Sequence, residues 1–399
     1  MVSQEDVTTP IEMKKGKIIR DPIHGNIKAD ELEIKLIDTP EMQRLRRIKQ
    51  NGFCYLIYPA MTSSRFEHSL GVMHLAGLIS DHLGLNKEQR KFLRVSALLH
   101  DIGHFPFSHS SEEVLKKYGF SHEENSAEII TKSEISEILE DEGISPKEVA
   151  DFIKGKGELS KLLSSEIDID KMDYLIRDSY YAGVAYGVID LQRVIHGIKI
   201  FDDKVVVKKS SLEAVESLLI SRNLMYQTVY RHHTKRIVES MFKHALEFLF
   251  KTKKLNYKDF VNFDDFDIVS LLRKSKGYGK EMIERIDNRA LFKIFFQQNV
   301  KELPENFIKK IKENSESIEK KISDDFGISQ GYVLIDFPNT KLSEFEIVFE
   351  TENGLRKIDE ISSLANALKN SEQEKLTFCI YTPLEMKEKF KDFSIANYF

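Results

Sequence analysis

The chain has little cysteine: two in 399 residues, Cys54 and Cys379. Two thiols cannot make a disulfide framework or a thiolate zinc site, so any metal must be held by imidazole and carboxylate. Long apolar runs are also missing, and the start "MVSQEDVTTPIEMKKGK" has no signal-peptide core, which together read as a cytoplasmic protein with no membrane span. An excess of positive charge is absent too. The net charge is −5, which argues against nucleic acid as a partner held by a global positive field. What remains is a globular balance, 41% hydrophobic and 31% charged, in a chain long enough for two or three domains.

Histidine is where the sequence is rich. Of 12 His, seven (His68, His74, His82, His100, His104, His109 and His122) fall within 55 positions. From about 38 to 250 the pattern is helical. His68, Val72, Leu75 and Ile79 repeat at helical spacing, which predicts a helix with His68 pointing inwards. "KEQRKFLRVSALLH" (87–100) predicts a second helix that ends on the pair His100-Asp101, with Gly103 and Pro106 as terminators. "SHEE" (121–124) reads as a capping box with His122 at the first helical position. The stretch 144–184 carries a helix containing "EIDIDKMDYLIRDSYYAG", with Asp170, Tyr174, Asp178 and Tyr181 on one stripe. One or two helices over 211–250 carry Arg222, Tyr226 and Tyr230 on another.

Singly, these features are ordinary: a lone His on an apolar helix is more often a core residue than a ligand, and a His-Asp pair arises by chance. Their co-occurrence changes the odds, because several segments place ligand-type side chains on buried faces, which is costly without a metal or partner. His68, His100, Asp101 and Asp170 form a mixed N/O donor set suited to Zn, Mn, Fe, Ni or Mg. Such a cation lowers the pKa of water and polarises a phosphoryl oxygen. His104, His109, His122 and Glu123 follow closely enough to supply acid and orienting groups, and Glu112 is placed to hold the ring of His109. Cations and phenols on neighbouring helices, Lys171, the flanking Arg177 and Arg222 with Tyr174, Tyr226 and Tyr230, suit an anionic, partly aromatic ligand such as a phosphorylated nucleoside. His74 and His82 read as structural.

In combination and order, "SRFEHSLGV" (64–72), "LLHDIGHFPFSH" (98–109), "SHEE" (121–124) and "DIDKMDYLIRD" (168–178) resemble the HD-domain metal-dependent phosphohydrolases, and more narrowly the deoxynucleoside triphosphate triphosphohydrolases. "RDPIHGNI" and "DTPEMQRLRRIKQNG" extend the resemblance upstream. The fold class expected is mainly α, an HD-domain helical core with a smaller C-terminal α+β lobe. Residues 1–17 form a flexible N-terminus, 18–250 the catalytic core with an N-terminal effector-binding segment, and 251–324 a helical connecting region. Residues 325–399 form the lobe, with strands in "GYVLIDFP", "FEIVFET" and "KLTFCIYTP" around a helix at 358–369.

The resemblance implies that His68, His100, Asp101 and Asp170 hold the metal and that an activated water attacks the α-phosphorus of a dNTP, giving deoxynucleoside and tripolyphosphate. His109, paired with Glu112, would protonate the departing 5′ oxygen, while His104, His122 and Glu123 complete the catalytic shell. Arg65, Lys171, Tyr174 and Arg222 would hold phosphates, a second Mg accompanying the substrate. Gln50 and Asp178 would read the 3′-hydroxyl, and Tyr230 would exclude a 2′-hydroxyl. A guanine nucleotide, GTP or dGTP, would act as effector at a subunit interface through Asp38, Gln43 and Arg46, making the protein a homo-oligomer, dimer or tetramer. Two other readings stay open: an HD phosphohydrolase for a monophosphate, cyclic dinucleotide or alarmone, and a non-catalytic protein that binds nucleotides or single-stranded nucleic acid.

Overall fold

The computed structural model describes residues 16–202, 204–252, 255–338 and 346–399, so the expected flexible stretch 1–17 lies outside them but for its last two residues. An antiparallel hairpin, β1 (Lys17–Asp21) and β2 (Gly25–Ala29), turns at Gly25 with φ 72°. Helices α1 (Glu31–Ile37) and α2 (Pro40–Arg44) follow, capped by Asp30 and Thr39. The centre of the molecule is a pair, α3 (Arg65–Leu83) and α4 (Lys87–Leu99), reversed at Gly84. Ser64 and Glu67 form a capping box that starts α3, and His68, Val72, Leu75 and Ile79 are all fully buried on it.

Around that pair pack α5 (His109–Lys116), α6 (His122–Lys132), α7 (Glu134–Asp141), α8 (Pro146–Ile153), α9 (Ile169–Ala182) and α10 (Leu191–Gly197). One local expectation holds and one is corrected. The helix expected within 144–184 is α9; before it Gly155 and Gly157 take positive φ (84° and 88°), and Asp168 is its N-cap, accepting from the Lys171 amide at 2.6 Å. Ser121 caps α6 through the Glu124 amide at 3.2 Å, but the Glu124 side chain does not return the bond, so there is no capping box.

The helical run to 250 is also interrupted by a hairpin, β3 (Ile198–Phe201) and β4 (Lys204–Lys208), where "VVV" favours extended backbone. Next come α11 (Leu212–Met225) and α12 (His233–Lys251), separated by a π turn over Tyr226–Tyr230 and by His232, whose ring accepts from the Thr234 amide. The region 251–324 contains α13 (Tyr257–Phe260), α14 (Asp265–Lys274), α15 (Tyr278–Asp287) and α16 (Glu305–Asp325), and it is not wholly helical, since β5 (Lys293–Asn299) lies among them. The end of the chain supplies β6 (Leu334–Asp336), β7 (Val348–Thr351), β8 (Gly354–Lys357), α17 (Ile358–Ile361), α18 (Ser363–Glu374) and β9 (Thr377–Thr382). Among the described residues no helix is long and apolar enough to cross a membrane.

These last strands divide between two sheets. One has the order β5-β9-β6; the other is β3-β4-β7-β8, in which β7 runs parallel to β4 with Val207 opposite Phe349. The C-terminal segment therefore pairs an edge that the β3–β4 hairpin would otherwise leave open. A shared apolar cluster does the same on another side. Phe107 stacks on Phe53 at 4.2 Å and meets Phe242 of α12 at 4.7 Å, and the cluster runs on to α14, α15 and Tyr381 of β9.

One polar contact also joins the halves. His244 on α12 directs Nε2 to both carboxylate oxygens of Glu319 on α16, at 3.1 Å each, while Glu319 accepts from the Ile335 amide at 2.7 Å. Burial disfavours the imidazolium, but Glu319 outweighs it and the His244 pKa rises to about 9. A raised histidine contributes stability in full below its unfolded value of about 6.5, and loses it as pH climbs through about 9. Urea unfolding of His244→Gln and wild type should show a stability gap that shrinks by about 3 kcal/mol between pH 6.5 and 9.5. A gap independent of pH would contradict the charged pair.

Candidate metal centre

Three elements deliver four ligand-type side chains to one point. From α3, His68 Nε2 lies 2.8 Å from Asp170 Oδ1 of α9 and 3.8 Å from Asp101 Oδ2. From the end of α4, His100 Nε2 lies 3.3 Å from Asp101 Oδ1 and 3.8 Å from Asp170 Oδ1. Both rings are held by their other nitrogen. His68 Nδ1–H donates to Asp173 Oδ2 at 2.7 Å and His100 Nδ1–H to the Ala97 carbonyl at 2.8 Å, which leaves each Nε2 as the ligand atom. Among the described residues His100 Nε2 is buried and makes no hydrogen bond. His68, His100 and Asp101 converge around this orphaned nitrogen, with Asp170 Oδ1 within 3.8 Å of both Nε2 atoms, and the set fits a divalent cation.

Charge in the cluster tells the same story. Burial works against a charged His68, yet Asp170 and Asp173 outweigh it and push its pKa to about 10. His100 is raised in the same way, burial being overcome by Asp101 and Asp170. Asp101 and Asp170 would be raised by burial, but Arg65 and His100 hold the first well down, and His100 with His68 hold the second down. The carboxylates thus attract positive charge so strongly that the imidazoles take protons. A cation at the same point displaces those protons, so metal binding and proton release are linked.

Behind His68 lies a support the sequence did not reveal. Asp173, fully buried, accepts from Arg177 Nε at 2.8 Å and Nη2 at 2.9 Å, and its Oδ1 lies 2.6 Å from His24 Nε2. Arg177 continues to Asp21 Oδ2 at 2.8 Å. The β1–β2 hairpin is thereby fastened to the ligand helix by a chain of buried charges. Close approach of α3 needs Gly71, where a Cβ would stand 1.9 Å from Asp173 Oδ1. The loop after Asp101 is pinned from outside in the same manner. Arg44 Nη2 donates to the carbonyls of Ile102 (3.1 Å) and His104 (2.8 Å), and Asp265 accepts from the Phe107 amide at 2.7 Å. Gly103 lets α6 pack directly on this loop, since a Cβ there would lie 2.2 Å from the Ser126 nitrogen.

The cluster opens into a cavity of about 370 Å³. Among the residues singled out from sequence, Gln50, Arg65, His100, Asp101, His104, His122, Glu123, Asp170, Tyr174, Asp178, Tyr226 and Tyr230 line it. His68, fully buried, does not line it but meets the lining Asp170 at 2.8 Å. Lys171 and Arg222 do not line it: Lys171 Nζ turns to Asp168 at 2.8 Å and Arg222 Nη1 to Glu166 at 2.5 Å. Glu112, expected to pair with His109, accepts from His122 Nδ1 at 2.7 Å, and His122 stacks on His104 at 4.2 Å. The His109 side chain lies outside the described residues. Burial and the neighbouring Arg65 hold the His104 pKa well below its ordinary value. Burial raises Asp178 to about 6, and its Oδ2 accepts from Tyr230 at 2.8 Å. Asp38, Gln43 and Arg46 gather elsewhere, at the α1–α2 junction. Asp38 is exposed, Arg46 Nε donates to Gln43 Oε1 at 2.8 Å, and the Arg46 guanidinium lies 3.6 Å over the Phe66 ring.

Sequence reasoning missed Asp173, His24 and Asp21, and noted Arg177 only as a flanking charge. A signal existed: a ligating His normally needs a carboxylate or carbonyl on its second nitrogen, and Asp173 lies one turn beyond Asp170. It missed Lys235 and Glu239 of α12 too, which also line the cavity.

Residues 65–178 match the HD domain family and residues 189–399 the HD associated region. The chain belongs to the HD-domain family and carries its associated region. It is 39% identical over 390 residues to an uncharacterised protein of Methanocaldococcus jannaschii, covering 96% of this chain and 82% of that one. Over 318 residues it is 32% identical to the deoxynucleoside triphosphate triphosphohydrolase SAMHD1 homolog of Dictyostelium discoideum, covering 70% of this chain and 60% of that protein, less than two thirds of its length. A phosphohydrolase of Bacteroides thetaiotaomicron has a similar crystal structure, with a TM-score of 0.73 and 26% identity over 92% of this chain and all of that one. Fold, donor set and family define an HD-domain phosphohydrolase.

Asp173→Asn keeps the shape of the support and removes its charge. Calorimetric titration with Mn²⁺ should show affinity reduced by about 10- to 100-fold, with circular dichroism unchanged. Affinity equal to wild type would mean that Asp173 does not orient His68.

Proposed function

We propose that the protein is a metal-dependent deoxynucleoside triphosphate triphosphohydrolase. The observation that carries this reading is the composition of one cavity: a four-donor metal cluster at its floor, Arg65 beside it, and Gln50, Asp178 and Tyr230 along its wall. When bound, a divalent cation neutralises phosphate charge and lowers the pKa of water. The chain's residues supply the rest. Arg65 and Tyr174 face the triphosphate, and Lys171 and Arg222 reach it by leaving Asp168 and Glu166. Among the described residues Gln50 Oε1 and Asp178 Oδ1 are buried with no hydrogen bond, and one of them can accept the single proton of a 3′-hydroxyl while the Gln50 amide donates to the hydroxyl oxygen. The Tyr230 phenol, tied to Asp178, fills the space that a 2′-hydroxyl would need.

At phosphorus the bond to water oxygen forms as the bond to the 5′ oxygen breaks, and that oxygen must gain a proton. His109 holds this role by resemblance. His122, with Nδ1 fixed by Glu112, offers Nε2 as a second donor, and neutral His104 stacks against it. Asp38, Gln43 and Arg46 are proposed to bind a guanine nucleotide between subunits of a homo-oligomer, carboxylate to the N1/N2 edge and guanidinium to O6/N7.

Phosphorus NMR of products decides the matter. Protein stripped with EDTA should be inactive, and added Mn²⁺ should restore release of tripolyphosphate and deoxynucleoside, faster with GTP present. Asp101→Ala should cut turnover by more than about 100-fold. Pyrophosphate or monophosphate as the product, or hydrolysis only of a cyclic dinucleotide or alarmone, would overturn the reading.

A further inference from the structure

One part of the cavity wall is left unused by metal, phosphate and sugar. Lys235 and Glu239, a turn apart on α12, both line it, although their side chains are only 14% and 18% exposed. Lys235 Nζ donates to Glu239 Oε1 at 2.7 Å, and Ser110 Oγ donates to that same oxygen at 3.0 Å. Among the described residues Oε2 accepts no hydrogen bond, and the ammonium keeps two N–H donors in hand. Removing an ion pair from water costs more than its attraction usually returns, so a buried pair with spare donors and acceptors facing a cavity suits a ligand better than it suits stability. Asn51 lines the same cavity, and Tyr230 stands on the π turn that leads into α12. Beyond Tyr230, Lys235 and Glu239, which border both spaces, a second cavity of about 650 Å³ runs to the C-terminal strands.

We propose that Lys235 and Glu239 read the base of the nucleotide and select guanine. The inference rests on the deoxynucleotide reading above: with phosphates at the metal cluster and the sugar between Asp178 and Tyr230, the base falls to the wall that carries Asn51, Lys235 and Glu239. Guanine presents a carbonyl, a ring N–H and an amine in sequence along one edge. Lys235 turns from Glu239 to O6, and the freed carboxylate takes both N1–H and N2–H. No other base satisfies the pair in this register. Adenine and cytosine set a bare ring nitrogen against the carboxylate where guanine has N1–H, and thymine sets a second carbonyl where guanine has its amine.

The test is kcat/KM for the full chain with Mn²⁺ on dGTP, dATP, dCTP, dTTP and deoxyinosine triphosphate, with GTP saturating throughout so that any effector site stays filled. We expect dGTP to exceed the other three natural substrates by about tenfold or more, and deoxyinosine triphosphate, which lacks the amine, to fall between. In Glu239→Gln the ratio of dGTP to dCTP should fall about tenfold, with thermal unfolding checking that the variant is folded. Wild-type values within about threefold of one another, or a variant that slows all substrates by the same factor, would overturn the inference and leave the hydrolase reading intact. Calorimetric Kd values for the same nucleotides, taken on EDTA-stripped protein with GTP saturating so that any effector site is filled, read the preference without turnover. A dGTP Kd no tighter than the rest overturns it, whereas tight dGTP binding with no hydrolysis counts against the hydrolase reading alone.

Discussion

Beneath the metal centre a single buried carboxylate, Asp173, takes the guanidinium of Arg177 on one side and the imidazoles of His24 and His68 on the other. An isolated carboxylate could not remain ionised at such depth. Arg177 and the two imidazoles hold its pKa well below the ordinary range despite burial. Because it stays charged it fixes one nitrogen of His68, and the other is thereby turned to Asp170 and Asp101. The hairpin that brings Asp21 and His24, the glycine that lets α3 come close and the position of α9 are all requirements of that one contact.

The rest of the site is held from outside in a comparable way. Backbone carbonyls of the loop after Asp101 are gripped by Arg44, its Phe107 amide by Asp265, and its aromatic residues by α12. The C-terminal half is therefore more than an appendage: α12 and α14 position the loop, and β7 completes a sheet begun at β3. In this chain the match to the HD domain over 65–178 is followed by the HD associated region over 189–399, the part that supplies these supports.

Much of this was legible because buried ligands leave a periodic trace. His68 on an apolar stripe, His100-Asp101 at a helix end and Asp170 on a polar stripe each have a pattern that a helix makes visible. Less legible was whatever depends on pairing across long separations. Asp21 and Arg177 are 156 residues apart, and nothing local marks them as partners. The β3–β4 hairpin was hidden inside a helical run, and β5 inside a region rich in Lys and Glu, because strand preference is settled by the neighbours a strand finds. The contact of Glu112 with His122, ten positions on, is another pairing that spacing alone does not mark.

Hydrolysis at this site requires a cation at one place, and its position is directly measurable. Crystals grown with Mn²⁺ and recorded near the manganese edge should give an anomalous peak about 2.2 Å from His68 Nε2, His100 Nε2 and oxygens of Asp101 and Asp170. A peak instead between Glu112, His122 and Glu123, or none at the four-donor cluster with the metal in excess, would contradict it.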